Sequence, residues 1–121
     1  MEKINLAQKF ALISEFWTPK IVGLVGETAV KLVKLSPGGF VWHAHEHEDE
    51  LFLVIAGELA VKFRDGEVRL GPGELIIVPQ GVEHMPVAET EVHVLLVEPL
   101  ETVNTGDEDE SDYTVLDPEW I

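Results

Sequence analysis

The sequence contains no cysteine, so neither a disulfide framework nor a thiolate nucleophile is possible. Basic residues are also scarce: eight Lys and Arg oppose 23 Asp and Glu, giving a formal charge of -15. Such an acidic surface repels phosphates and anionic lipids, so we expect neither nucleic acid nor membrane as a partner. No apolar run approaches the ~20 residues of a membrane helix. Residues 1–5 lack a signal-peptide pattern, which favours a cytoplasmic protein.

The length of 121 residues predicts a single domain, and a hydrophobic share of 45% suffices for a packed core. We expect a core barrel over about residues 21–99, preceded by an N-terminal arm (residues 1–20) and followed by an acidic C-terminal segment (residues 100–121). The acidic run at 107–112 is typical of a solvated, mobile tail. Apolar residues between 113 and 121 leave open that part of this segment docks on the barrel.

Short apolar runs bounded by turn residues dominate the middle of the chain. Between Glu58 and Arg64, apolar and polar residues alternate, as in a half-buried strand, and Asp65-Gly66 predicts a hairpin. Asn5 is a suitable cap for a short helical turn at residues 6–9. The pattern predicts an all-β sandwich or barrel, with strands at 21–25, 29–35, 51–55, 58–64, 67–70, 75–78 and 92–97.

The densest chemical feature is the stretch from His43 to Glu50, which holds three histidines and four acids in eight residues. Side chains two apart on a strand point the same way, so His43 and His45 can share a face. Glu50 can return to that face from the next strand, and a further histidine follows at His84. Because imidazole and carboxylate groups are common metal ligands, we interpret these four residues as the ligands of one metal ion. The stretch alone is more typical of a solvated loop.

Two spaced motifs extend this pattern. His43-x-His45-x4-Glu50-x6-Gly57 resembles the first motif of the cupin superfamily, and Gly73-x5-Pro79-x-Gly81-x2-His84 resembles the second. The resemblance runs from about Gly38 to Pro99, roughly half of the chain.

The resemblance implies a single cupin jelly-roll β-barrel that holds one metal through His43, His45, Glu50 and His84. Two positions depart from the pattern. Pro37 stands where the first motif has a glycine, and Ala88 stands where the second often has an asparagine. Neither departure removes a ligand, but the alanine removes a polar group.

Four further residues are candidates for the pocket wall. Phe52 and Val54 share strand parity with Glu50, so we expect them to line the cavity near the metal. His47 shares parity with the ligand histidines, with an exposed side chain as the alternative, because the chain must bend before Glu50. His93 lies in an apolar strand and is interpreted as a histidine of the barrel wall.

The donor set suits one divalent transition metal, and iron, manganese, nickel and zinc all fit. Four protein ligands leave about two positions of a six-coordinate ion open, which favours a reactive site. We expect a metal-dependent enzyme acting on a small organic molecule, either an oxygenase or a non-redox isomerase, epimerase or decarboxylase. The alternatives are a non-catalytic module that binds or senses a small ligand, and a structural barrel. The sequence contains no Gly-x-Ser-x-Gly motif, phosphate loop or dinucleotide fingerprint.

Three predicted strands, at residues 51–55, 75–78 and 94–97, are apolar at every position. Such strands require cover on both faces. One face lines the barrel, and the other must meet either the N-terminal arm or a second subunit. We therefore expect a homodimer.

Overall fold

A computed structural model describes residues 1–108 and 111–121. Asp109 and Glu110, the centre of the predicted acidic run, lie outside the described residues. The described chain forms one short helix and nine strands, which confirms the predicted all-β fold. The elements are α1 (Leu6–Ala11), β1 (Lys20–Val25), β2 (Thr28–Leu35), β3 (Gly38–Gly39), β4 (Glu50–Ala56), β5 (Leu59–Phe63), β6 (Gly66–Leu70), β7 (Leu75–Val78), β8 (Met85–Ala88) and β9 (Val92–Pro99).

The strands form two antiparallel sheets, arranged as in the predicted jelly roll. The five-stranded sheet has the order β1-β2-β9-β4-β7, and the four-stranded sheet has the order β3-β8-β5-β6. Non-consecutive neighbours, such as β2 and β9, make the contacts long-range in sequence. The second strand of the barrel, β2, therefore lies beside the last strand, β9, and residues far apart in the chain face each other inside the barrel.

Strand alternation decides which side chains enter the core. On β9, Val92, Val94 and Leu96 are buried between the sheets, while the intervening residues are only partly buried. Phe52 and Val54 of β4 join the same core. Burying such side chains contributes roughly 1.5–3 kcal/mol each to folding, which fixes the register of both strands.

The N-terminal arm covers part of the outer face of the five-stranded sheet. Asn5 caps α1, as predicted, and its side chain accepts a hydrogen bond from the Gln8 N–H at 3.0 Å. Phe10 and Ile13 are buried and form a second apolar cluster with Leu32 of β2. The arm therefore packs on its own barrel. No helix in residues 1–108 or 111–121 is long and apolar enough to cross a membrane.

The cover is incomplete at the edge strand β7. Leu75 and Ile77 point away from the core and remain 51% and 57% exposed. They adjoin β4, since Leu53 pairs with Leu75 and Leu51 with Ile77. An uncharged apolar edge is thus left on the five-stranded sheet.

Three short elements differ from the sequence prediction, and the first is β3, whose two glycines lie outside the predicted strands. Strand β8 was not predicted, because Pro86 lies within it and proline is depleted in strands. The hairpin between β5 and β6 is present, but Phe63 pairs with Gly66, so its two turn residues are Arg64 and Asp65. The predicted turn was therefore one residue too late.

Part of the C-terminal segment docks on the barrel, through apolar residues for which the sequence left docking open. The Tyr113 ring packs against Trp17 and Phe40, with ring centroids 5.7 and 5.1 Å away. Ile121 donates a backbone hydrogen bond to Ile21 of β1 at 3.0 Å. Both ends of the chain therefore pack against the barrel.

Candidate metal centre

Four buried side chains converge between the sheets: His43, His45, Glu50 and His84, hereafter the His/Glu cluster. Each offers one ligand atom, and these atoms all lie within 4.8 Å of one another. Glu50 begins β4, and His84 directly precedes β8. The chain therefore brings together all four residues that the motif spacing singled out.

A backbone bridge joins the two sequence motifs. The His43 N–H donates to the His84 carbonyl at 3.1 Å, and the His84 N–H donates back at 2.9 Å. The ring centroids of the two histidines lie 4.3 Å apart. The spacing of these two side chains is thus set by main-chain hydrogen bonds.

Backbone carbonyls also orient two of the rings. The Nδ1 of His43 lies 2.8 Å from the Val41 carbonyl, and the Nδ1 of His84 lies 2.9 Å from the Val82 carbonyl. A carbonyl oxygen only accepts hydrogen bonds, so each Nδ1 carries the hydrogen. This leaves the Nε2 lone pair of both rings available as a metal ligand.

His45 supplies a direct test of whether a metal ion fits. Its Nε2 lies 3.2 Å from Glu50 Oε1, but neither ring nitrogen makes a well-aligned hydrogen bond, and both are buried. A buried polar atom without a partner destabilises the fold. A cation bound among the His/Glu cluster would satisfy such a nitrogen, so the residues present fit a metal ion.

The protonation states also suit a cation. Burial, and after it the neighbouring His84, lowers the pKa of His43 to about 4. Burial alone would raise the pKa of Glu50, but contacts with His45, His84 and Glu98 outweigh burial and hold that pKa well below its usual range. At neutral pH, His43 is neutral and Glu50 is ionised, as metal ligation requires.

A cavity of about 40 Å³ adjoins the cluster. Its wall is mainly apolar, and it is lined by Trp17, Pro19, Val33, Leu35, Phe40, His43, Glu50, Phe52, Pro86, Val94, Leu96 and Asn104. Phe52 is thus in the wall, while Val54 lies deeper in the same core and does not line this cavity.

Two predicted wall residues lie elsewhere, which corrects the sequence interpretation. The side chain of His47 is 81% exposed, because the chain bends after His45. His93 lies on the outer face of β9, where its ring stacks on Phe10 at 4.7 Å and its Nε2 contacts Glu91 at 2.7 Å. Inward-facing residues of β9 have even numbers, so His93 belongs to the covered outer face.

Sequence reasoning missed a clamp on the peptide between two cluster histidines. The Ala44 N–H donates to Asp107 Oδ1, and the Asp107 N–H donates to the Ala44 carbonyl, both at 2.9 Å. Gly106 adopts φ +55°, and a Cβ there would lie 2.3 Å from the Ala44 oxygen. The Asn-Thr-Gly sequence before Asp107 is a turn signal, but nothing local indicates its partner.

Trp17 and Asn104 were also missed as wall residues. Trp17 adopts φ +60°, the left-handed region that favours glycine, and its backbone N–H donates to the Lys34 carbonyl at 2.8 Å. That conformation costs a non-glycine residue roughly 1–2 kcal/mol. Both residues come from segments flanking the barrel, so the cavity wall depends on the two chain ends.

A sequence model of a family described as "Cupin domain" matches residues 31–98. The chain is 41% identical to a cupin-2 domain containing protein from Shewanella frigidimarina NCIMB 400, whose crystal structure matches with a TM-score of 0.78 over 79% of this chain and 93% of that one. It is 35% identical to a protein from Neisseria meningitidis, with a TM-score of 0.73 over 81% of this chain and 99% of that one.

A curated relative, the uncharacterized protein YdbB of Bacillus subtilis strain 168, is 36% identical over 61 residues. That match covers 50% of this chain, and the chain spans about half (53%) of the relative. The family match at 31–98 contains the complete His/Glu cluster and excludes Trp17 and Asn104.

Proposed function

The chain belongs to the cupin family, and from that premise we propose that its His/Glu cluster binds one divalent transition-metal ion and uses it to act on a small organic molecule. The observation that carries the proposal is the set of four buried donors within 4.8 Å, which includes an imidazole without an aligned hydrogen-bond partner. Nitrogen and oxygen donors of this kind suit iron, manganese, nickel and zinc. Such an ion polarises carbonyl groups, and iron adds redox chemistry with dioxygen.

The cavity wall indicates the class of molecule. Its apolar surface would bind the body of a ligand and exclude water from the cluster. No lysine or arginine is among its described lining residues, and the buried Lys31 is paired with Glu98 at 2.9 Å. An anionic sugar phosphate would therefore lack a counter-ion. We infer a small ligand that is mostly apolar and carries a carbonyl or similar neutral polar end.

The described residues of the cavity wall include no free acid or base outside the cluster. This favours a second candidate function, which is metal-dependent binding or sensing without turnover. Among the described lining residues outside the cluster, only Trp17 and Asn104 carry polar side-chain atoms. The Trp17 Nε1 donates to Ser36 Oγ. The Asn104 amide already donates to the Tyr113 carbonyl and accepts from the Val115 N–H, both at 2.8 Å. If the protein is an enzyme, residues of the His/Glu cluster would therefore have to transfer the protons.

Two measurements separate these candidates. Elemental analysis of protein purified without chelator or added metal identifies the ion, and protein that binds no transition metal refutes the proposal. An oxygen electrode is then used with diketones, thiols and catechols, with product analysis alongside. An oxygenase requires iron and consumes dioxygen with its substrate. An isomerase, epimerase or decarboxylase works with manganese, nickel or zinc and consumes none. A binding module shows saturable, metal-dependent binding without product.

We also propose that a second copy of the chain covers the apolar edge at Leu75 and Ile77. Edge strands with exposed apolar residues tend to pair with another chain unless they are protected. Because each chain carries a formal charge of -15, two copies can approach most closely through an uncharged face. The arm already covers the neighbouring part of this sheet, so the edge is the part that needs a partner. The cytoplasmic location remains a prediction.

A further inference from the structure

One residue of the cavity wall lies in a strained backbone conformation. Trp17 adopts φ +60°, although its side chain is a bulky indole that is only 8% exposed. Residues other than glycine persist in this region only where neighbouring contacts hold them there, and they are common at ligand sites. Glycine at this position would relieve the strain, but it would remove the indole from the cavity wall. The strain therefore points to a role for the indole at the cavity.

Three contacts hold Trp17 in place. Its backbone N–H donates to the Lys34 carbonyl at 2.8 Å, and its Nε1 donates to Ser36 Oγ at 3.0 Å. Its ring stacks on Phe40, with centroids 5.6 Å apart and planes that differ by 8°. Phe40 in turn makes an edge-to-face contact with the His43 ring, with centroids 5.3 Å apart. Only one ring therefore separates the indole from the His/Glu cluster.

The cavity that adjoins both the indole and the cluster is small. Trp17, His43 and Glu50 all contribute to its wall. Its volume is about 40 Å³, and a water-sized group requires roughly 10–15 Å³, so about three such groups fit. An engineered apolar cavity that binds benzene, by comparison, has a volume of about 150 Å³. A ligand of a few non-hydrogen atoms therefore fits, and an aromatic ring does not.

We propose that Trp17 is a specificity-determining residue, which restricts the ligand to short-chain molecules and excludes those with an aromatic ring. This role rests on the proposed function, since the ligand must reach a metal ion in the His/Glu cluster. Other wall residues, such as Phe52 and Leu96, lie on strands and also hold the barrel together. Trp17 comes from the arm, so its truncation enlarges the cavity without interrupting a strand. The size limit is thus set by a residue outside the family match at 31–98.

The test uses the full chain loaded with Co²⁺ and two thiols as probes, ethanethiol and benzyl mercaptan. A thiol sulfur bound to Co²⁺ adds an absorption band in the near ultraviolet, and the chain has no cysteine to interfere. We expect wild type to bind ethanethiol more tightly by about tenfold or more, since apolar pockets discriminate to that extent even for one methylene. Trp17→Ala should lower the Kd for benzyl mercaptan about tenfold and change that for ethanethiol little. Leu59→Ala, which truncates a fully buried residue of the same core outside the cavity wall, controls for lost stability and should keep the wild-type ratio of Kd values.

An unchanged ratio of the two Kd values in Trp17→Ala overturns the proposal and leaves the metal site intact. The same conclusion follows if Leu59→Ala changes the ratio equally, or if wild type holds Co²⁺ but binds both thiols equally well or neither. If Trp17→Ala does not fold, Trp17→Phe keeps a ring in the core and should bind butanethiol more tightly than wild type does, and an unchanged Kd overturns the proposal. Failure of the wild-type protein to bind Co²⁺ instead refutes the proposed metal site and, with it, this role of Trp17.

Discussion

Asp107 holds Ala44 from both sides: its carboxylate accepts the Ala44 N–H and its own N–H donates to the Ala44 carbonyl, each at 2.9 Å. Ala44 separates two residues of the His/Glu cluster. A segment beyond the last strand, and outside the family match at 31–98, therefore fixes the peptide that carries the first two histidines.

Gly106→Ala should weaken both metal binding and the fold. The new Cβ would lie 2.3 Å from the Ala44 oxygen and 2.9 Å from its carbonyl carbon, so the clamp must shift. Gly26→Ala is the matched control, because Gly26 has a similar φ of +63° and open space around it. Both variants incur roughly 1–2 kcal/mol of backbone strain. Urea unfolding and Co²⁺ titration should show a larger loss of stability and of Co²⁺ affinity in Gly106→Ala than in Gly26→Ala. Equal losses would show that the Asp107–Ala44 contact does not support the metal site.

His84→Ala should lose most of the bound metal, because it removes one of four donors while the backbone bridge to His43 remains. His47→Ala is the control, since the His47 side chain is 81% exposed and is not part of the buried His/Glu cluster. Metal content per chain, measured after identical purification, should fall in the first variant alone. Wild-type content in His84→Ala would remove that residue from the site.

Acid should destabilise the metal-free protein through His43. Above pH about 6.5, His43 is neutral in both the folded and unfolded states and contributes no pH dependence. As the pH falls from there to about 4, the unfolded state gains a proton that the folded state resists, so stability decreases. The pKa shift corresponds to about 3 kcal/mol. Between pH 7 and pH 4.5, the free energy of unfolding in urea should decrease less for His43→Gln than for wild type. Equal decreases would show that a group other than His43 causes the loss.

Ile77→Glu should convert a dimer to a monomer, because it places a charge on the exposed apolar edge of an already acidic chain. Val25→Glu is the control: Val25 is 73% exposed on β1, at the opposite edge of the same sheet. Light scattering at micromolar concentration should give twice the 13.5 kDa chain mass for wild type and Val25→Glu. A wild-type mass of one chain would show that the edge is not an interface.

The sequence was informative where the pattern was local. The short apolar run of β9 correctly indicated a strand, and the spacing of the His/Glu cluster correctly indicated which side chains meet. The face of His93 was misassigned, because a strand apolar on both sides gives no polar residue to mark the outside. For His47, strand parity indicated the pocket wall and the bend indicated an exposed side chain, and the exposed alternative is correct.

The remaining features depend on contacts that no local pattern encodes. Trp17 and Tyr113 pack near Phe40 from opposite ends of the chain, and the Asp107 clamp depends on a peptide far away in sequence. The Lys31–Glu98 pair is similar: Lys31 lies in one predicted strand and Glu98 directly follows another, and only the register of β2 and β9 places them together.

The backbone bridge between His43 and His84 also sets an order of events during synthesis. It joins two segments of the barrel that are distant in sequence, and such contacts are slow to form. The first two histidines emerge from the ribosome well before their partner and before Asp107. We therefore expect a metal ion to enter a finished barrel rather than to nucleate it, so that refolding from urea proceeds at the same rate with and without Co²⁺.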